Sequence, residues 1–181
     1  MKIQDIELFV SNRLSDKRFK HTLGTVETAK ELAKIHGVSE EAAHVAALLH
    51  DVAKELPEGQ LMRILRVSGE LEYLNFHSNV WHAPMGAIVA RQTFGIDDMD
   101  VLNSIRYHTT GRAGMSVLEK IIFIADYAEP GRSQDGVDDV RAKFSNLDAA
   151  MELILKRTIE KLGDGDIHPD TIAAYEFYRM S

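Results

Sequence analysis

Apolar positions recur along this chain at spacings of three and four residues, the period of helices with one buried face. Ile3, Ile6, Phe9, Val10 and Leu14 form the first stripe, over residues 3–14. Leu23, Val26, Ala29, Ala33 and Ile35 form the second, over 19–35, with Gly37 placed as a stop. Ser39 suits the N-cap of a helix over 40–54, whose first turn carries Glu40 and Glu41 where the dipole favours acids. Pro57 fits the first turn of a short helix reaching residue 65. Residues 69–80 are less regular and read as a short helix followed by a loop. Helices are predicted over 83–94, ending at Gly95, and over 97–107. Ser116 and Glu119 make a capping-box pattern for the most apolar helix, over 117–128, which Pro130-Gly131 terminates. A short helix over 137–144 follows, then a long amphipathic one over 147–162, stopped by Gly163-Asp164-Gly165. Pro169 opens the last helix, which runs towards Tyr178. There is no sustained strand alternation, no repeat and no linker rich in Gly, Ser or Pro. The pattern predicts one all-α domain.

Composition narrows the picture. The 181 residues suffice for a single core, and 45% apolar with 27% charged residues is ordinary for a globular protein. No segment approaches the roughly 18 consecutive apolar residues of a membrane span. The start, Met1 to Glu7, is acidic and amphipathic, unlike a signal peptide. The absence of cysteine excludes a disulfide scaffold, a thiolate zinc site and a cysteine nucleophile, and suggests the cytoplasm. A net charge of -7 with scattered basic residues argues against nucleic acid as partner. It still allows a small phosphorylated ligand, because a metal ion and a few placed cations reverse the local potential. Symmetric dimers being the commonest oligomers, a homodimer is the default expectation.

The chemistry-bearing residues are His21, His50-Asp51, His82, His108 and Asp126, near helix ends or inside apolar helices. Imidazole with carboxylate, and no thiolate, suits iron, manganese, zinc, cobalt or nickel. Asp51 follows the apolar run Ala42 to Leu49, and Asp126 follows Ile121 to Ala125. Buried and unpaired, either charge would cost several kcal/mol. A metal is one compensation; an arginine or several hydrogen bonds are others. Lys54, four residues after His50 and three after Asp51, would project from the same side of a helix. Taken singly, such a histidine is more often a hydrogen-bonded core residue than a ligand, and such an aspartate is as often a salt-bridged or capping group.

His21, then His50-Asp51 with Lys54 after it, then Asp126 follows the H…HD…D order, and on this the chain resembles the HD phosphohydrolase superfamily. Within it, the segments 21–26, 46–54, 82–87, 105–111 (IRYHTTG) and 124–132 (ADYAEPGR) look like the YqeK group. The resemblance implies an HD-type helical bundle in one domain, 1–181, with an HD core of about 18–132 and helices of about 137–181 completing a nucleotide site. It implies a divalent metal, iron first with manganese or cobalt able to substitute, held by His21, His50, Asp51 and Asp126. The implied reaction is symmetrical hydrolysis of diadenosine tetraphosphate to two ADP. Lys54 would then bind phosphate as a point charge and Arg132 as a two-pronged donor. His82 and His108 are read as phosphate contacts and proton-transfer groups, with a second metal as the alternative. His21, Thr109, Pro169, Asp170, Thr171 and Tyr175 would contact the nucleotide, although Tyr175 and Tyr178 are equally suited to packing the last helix. His36, His44, His77 and His168 are assigned to surface, core or cap roles, and Trp81 to core or rim. The alternatives are an HD hydrolase of another nucleotide or alarmone, and a non-catalytic nucleotide-binding module.

Overall fold

A computed structural model describes residues 2–163 and 165–180, and among them every regular element is helical. In chain order these are α1 (Ile3–Ser11), α2 (Asp16–His36), α3 (Glu40–Leu49), α4 (Glu58–Val67), α5 (His82–Phe94), α6 (Met99–Arg106), α7 (Val117–Ala128), α8 (Val137–Arg141), α9 (Leu147–Leu162) and α10 (Pro169–Tyr178). Two 3₁₀ turns, Leu71–Asn75 and Ser78–Val80, stand between α4 and α5, where a short helix and a loop were expected. No described helix is long and apolar enough to cross a membrane. Asp164, placed by the sequence in the stop after α9, lies outside the described residues.

The most apolar segment becomes the axis of the molecule. In α7, Ile121, Ile122, Ile124 and Ala125 are fully buried, and α2, α3, α6, α8 and α9 pack around it. A helix apolar on all sides can be satisfied only by neighbours on all sides. A smaller apolar cluster, Ala53, Leu61, Leu65, Tyr73, Trp81 and Met85, lies beneath α4, the 3₁₀ turns and α5. Trp81 belongs to it, and its indole N–H donates to the Tyr73 and Phe76 carbonyls.

The helix starts follow local chemistry. The hydroxyls of Ser15, Ser39 and Ser116 accept the N–H groups of Arg18, Ala42 and Glu119. The capping box at α7 is only half formed, because Arg112 takes the Glu119 carboxylate in a two-pronged contact at 2.8 and 2.6 Å.

One boundary departs from the periodicity in a consequential way. The helix expected over 40–54 ends at Leu49. His50 Nδ1 donates to the Ala47 carbonyl at 2.6 Å, the acceptor that an α-helix would give to the Asp51 N–H. The chain then tightens into three-residue turns, Val52 N–H to Leu49 O and Lys54 N–H to Asp51 O. Against this turn lies Gly86 of α5. A Cβ there would sit 3.2 Å from the Leu49 carbonyl oxygen, 3.3 Å from that of His50 and 3.0 Å from Ile105. Glycine lets α5 lie directly on the end of α3.

Candidate metal centre

Five helices deliver the site by their ends. The first turns of α2 carry Arg18 and His21, and the chain leaving α3 carries His50 and Asp51. His82 begins α5, His108 follows α6, and Asp126 lies in the last turn of α7. His21 Nε2 is 3.0 Å from Asp126 Oδ1 and 3.6 Å from Asp51 Oδ2; His50 Nε2 is 3.4 Å from Asp51 Oδ2 and 3.8 Å from Asp126 Oδ1. His82 Nε2 stands 3.1 Å from Asp51 Oδ1 and 3.1 Å from His108 Nε2.

The ring protons can be placed from the partners. His50 Nδ1 faces the Ala47 carbonyl, His108 Nδ1 the Ile105 carbonyl at 2.7 Å, and His21 Nδ1 the Glu129 carboxylate at 3.1 Å. These partners accept and do not donate, so each Nδ1 carries a proton, and in the neutral ring Nε2 is the atom left with a lone pair for a metal. Among the described residues, the buried Nε2 atoms of His21 and His50 have no hydrogen-bond partner. Buried polar atoms are rarely left so. They converge with the carboxylates into two overlapping donor sets, His21, His50 and Asp126, and His50, Asp51 and His108, with ligand atoms in each set within 4.8 Å of one another. The arrangement fits a divalent metal ion held by imidazole and carboxylate.

The electrostatics agree with anionic carboxylates. Burial opposes ionisation of Asp51, but His50, His108 and His82 hold its carboxyl well below the usual range. Burial likewise opposes ionisation of Asp126, and His21 with His50 lowers it overall. For His50, burial works against the charged ring, yet Asp51 and Asp126 raise its pKa. Burial dominates at His82 and pushes it down to about 4. It also lowers the Lys54 ammonium, whose Nζ lies 3.4 Å from His82 Nδ1.

Two clefts meet at this cluster. The C-terminal cleft, about 790 Å³, is lined by Asp51, Lys54, His82, His108, Thr109 and Asp126, and from the far side by Ile154, Thr158, Lys161, His168 and Thr171. The α2 cleft, about 710 Å³, is lined by Lys17, Lys20, His21, Leu23, Gly24 and Glu129 among others. Arg18 and Arg132 line both.

The structure therefore brings His21, His50, Asp51, Asp126, His82, His108, Lys54, Thr109, Arg132 and Thr171 to one region. Pro169, Asp170 and Tyr175 line neither cleft; Tyr175 packs against the main core, and Tyr178 accepts the Met115 N–H. Arg132 spends its two-pronged contact on Asp126, Nη2 to the carboxylate at 2.9 Å and Nε to the carbonyl at 3.1 Å. His168 caps α10 and lies against Tyr73 and Phe76; His36 bonds the Phe144 carbonyl.

Three residues at the site carry roles that sequence reasoning missed. Arg18 Nη1 donates to Asp51 Oδ2 at 3.0 Å, and its place one helical turn before His21 was the available signal. Glu129, almost fully buried, accepts from His21 Nδ1 and from the Gly131 N–H at 2.6 Å. Arg141 donates to the carbonyls of Ala128, Glu129 and Arg132, fixing the turn that carries Glu129. Nothing local in the sequence marks that last role.

Comparison with known proteins bears on the same residues. The chain matches the HD domain family over residues 18–131. It is 42% identical, over 92% of its length and 91% of the relative's, to "Bis(5'-nucleosyl)-tetraphosphatase, symmetrical" of Halalkalibacterium halodurans. It is 38% identical to the protein of that name in Staphylococcus aureus, over 100% and 96% of the two chains. Among solved structures, a "predicted HD superfamily hydrolase involved in NAD metabolism" from Clostridium acetobutylicum superposes with a TM-score of 0.94 at 40% identity, covering 99% of this chain and 98% of that one.

Proposed function

The chain belongs to the HD domain family, and from that premise we propose that it is a metal-dependent symmetrical hydrolase of diadenosine tetraphosphate, releasing two ADP. One observation carries the reading to this chain's own atoms: two buried, unpartnered histidine Nε2 atoms converge with Asp51 and Asp126 beside a set of cations. His21, His50, Asp51 and Asp126 would hold the ion. We assign iron from the family likeness, with manganese or cobalt able to substitute, which the donor set suits. Such an ion, when bound, supplies a water of near-neutral pKa and charge withdrawal from a phosphoryl oxygen.

The remaining work falls to the side chains, since phosphoryl transfer needs positioning and charge neutralisation more than covalent help. Lys54, Arg132 and Thr109 face the C-terminal cleft and would bind phosphate oxygens, with His21 at the edge of the same anionic chain. His82, neutral near pH 7, would donate an N–H. His82 and His108 would pass a proton to the departing ADP, with the Lys54 ammonium 3.4 Å from His82 Nδ1 beside them. Helices α9 and α10 would complete the nucleotide site around the HD core, through Thr158, Lys161, His168 and Thr171. Contacts from Pro169, Asp170 and Tyr175 would need movement of the start of α10.

A specific observation favours a second reading of His108. His108 Nε2 and His82 Nε2 lie 3.6 and 3.1 Å from Asp51 Oδ1, on the side of that carboxylate away from His50, so the two rings with Asp51 would suit a second ion. Two ions per chain, falling to one in His108→Ala, would support it; one in both proteins would return His108 to phosphate contact.

The test is an anaerobic assay of the purified protein with iron(II), manganese(II) or cobalt(II). ADP as sole product is expected; ATP with AMP would refute the symmetrical cut. Absence of turnover with every metal would redirect the assignment to another nucleotide. His50→Ala or Asp51→Ala should abolish turnover, and wild-type rates in either would remove the metal assignment.

A further inference from the structure

We propose that the α2 cleft seats the second nucleoside of the dinucleotide, so that each half of the substrate occupies its own cleft across the metal cluster. The inference rests on the dinucleotide reading above. A cut at the central linkage leaves equal halves of substrate on both sides of the bridging oxygen, so both sides need room. The two clefts that meet at the cluster are of similar size, about 710 and 790 Å³.

Their shared boundary has the charge that a tetraphosphate requires. Arg18 and Arg132 belong to both clefts, each anchored on a carboxylate of the cluster, Arg18 on Asp51 and Arg132 on Asp126. Anchoring holds the guanidinium groups at the boundary without the entropy loss of ordering them on binding.

Beyond that boundary, the cleft wall is one face of α2. Lys17, Lys20, Gly24 and Glu27 recur at three- and four-residue spacing, with Leu23 beside them. Neither Lys17 nor Lys20 pairs with a carboxylate among the described residues. Leu23 is 39% exposed, an apolar surface beside unpaired cations, which suits the face of a purine. Two acids of the cleft are engaged by other partners than these lysines. Glu55 accepts the N–H and hydroxyl of Ser15 at 2.6 and 2.7 Å, and Glu129 is turned under His21. Glu27 lies about 13 Å along the helix from Arg18, at 1.5 Å per residue, where it can accept from an exocyclic amine.

The experiment compares diadenosine tetraphosphate with adenosine 5'-tetraphosphate, which has one nucleoside and yields ADP and pyrophosphate when cut at the corresponding bond. Leu23→Glu and Lys20→Glu are measured separately on both substrates. The expected result is that each variant lowers the ratio of kcat/KM for the dinucleotide over the mononucleotide by roughly ten-fold, mainly through the dinucleotide's KM. An unchanged ratio, whether both substrates lose equally or neither does, would overturn the second-nucleoside site while ADP formation by the wild type upholds the hydrolase reading. A wild type that forms no ADP from diadenosine tetraphosphate would overturn both.

Discussion

At the scale of single residues, the site is governed by which ring nitrogen carries a proton. Glu129 sets this for His21, as backbone carbonyls do for His50 and His108. A carboxylate behind a metal-facing histidine orients the ring and increases its basicity. Space for it comes from Gly24, where a Cβ would lie 2.4 Å from Glu129 Oε2. Glu129→Ala should therefore weaken manganese(II) binding by about 10–100-fold in competition with a chromophoric chelator. Unaltered affinity would show that the contact is only structural. His168 offers a second test. Burial lowers its pKa from 6.5, so the folded protein holds this ring neutral where the unfolded chain protonates it. Its contribution is then complete above about pH 6.5 and is lost as pH falls towards the lowered folded value. His168→Asn keeps a helix-capping side chain but does not titrate. Urea midpoints measured between about pH 5 and pH 7 should fall less steeply with acid in the variant than in the wild type.

At the scale of elements, two contacts decide where helix ends meet. Gly86 permits α5 to rest on the carbonyls of Leu49 and His50, which places His82 against Asp51. Gly86→Ala should cost about 1–3 kcal/mol through overpacking. Because the strain falls on the turn carrying His50 and Asp51, turnover should drop along with the denaturation midpoint. The Arg112–Glu119 pair ties the approach to α7 onto its first turn, and the Glu119 side chain is 1% exposed. Arg112→Ala would leave that carboxylate buried and unpaired, at a cost of about 3 kcal/mol in urea denaturation. A loss near zero would show that water reaches Glu119 without Arg112.

At the scale of the whole molecule, the proposed metal ligands come from α2, the α3 end and α7, far apart in sequence. A bound ion should therefore tie these elements together and raise global stability. At metal about 100-fold above its Kd the gain is about 2.7 kcal/mol, read as a shift in Tm that His50→Ala should lose. The order and most boundaries of the helices were legible in the chain, apart from the short helix expected within residues 69–80, because apolar period and capping residues act over three or four neighbours. So was the H…HD…D order, because chemistry follows residue type; Asp126, which the apolar run before it suggested was buried, keeps 23% of its side chain exposed at the cleft. The early end of α3 was hidden, since a histidine-to-carbonyl bond replaced a helical one without altering the pattern. Arg18, Glu129 and Arg141 were hidden because their partners lie 33, 108 and 9–13 residues away. For Tyr175, its place on the last helix allowed either nucleotide contact or packing, and it packs partly buried against the core. Periodicity determines which face of a helix is buried; the crossing of packed helices decides which end faces which, and that placed the donors together between two clefts.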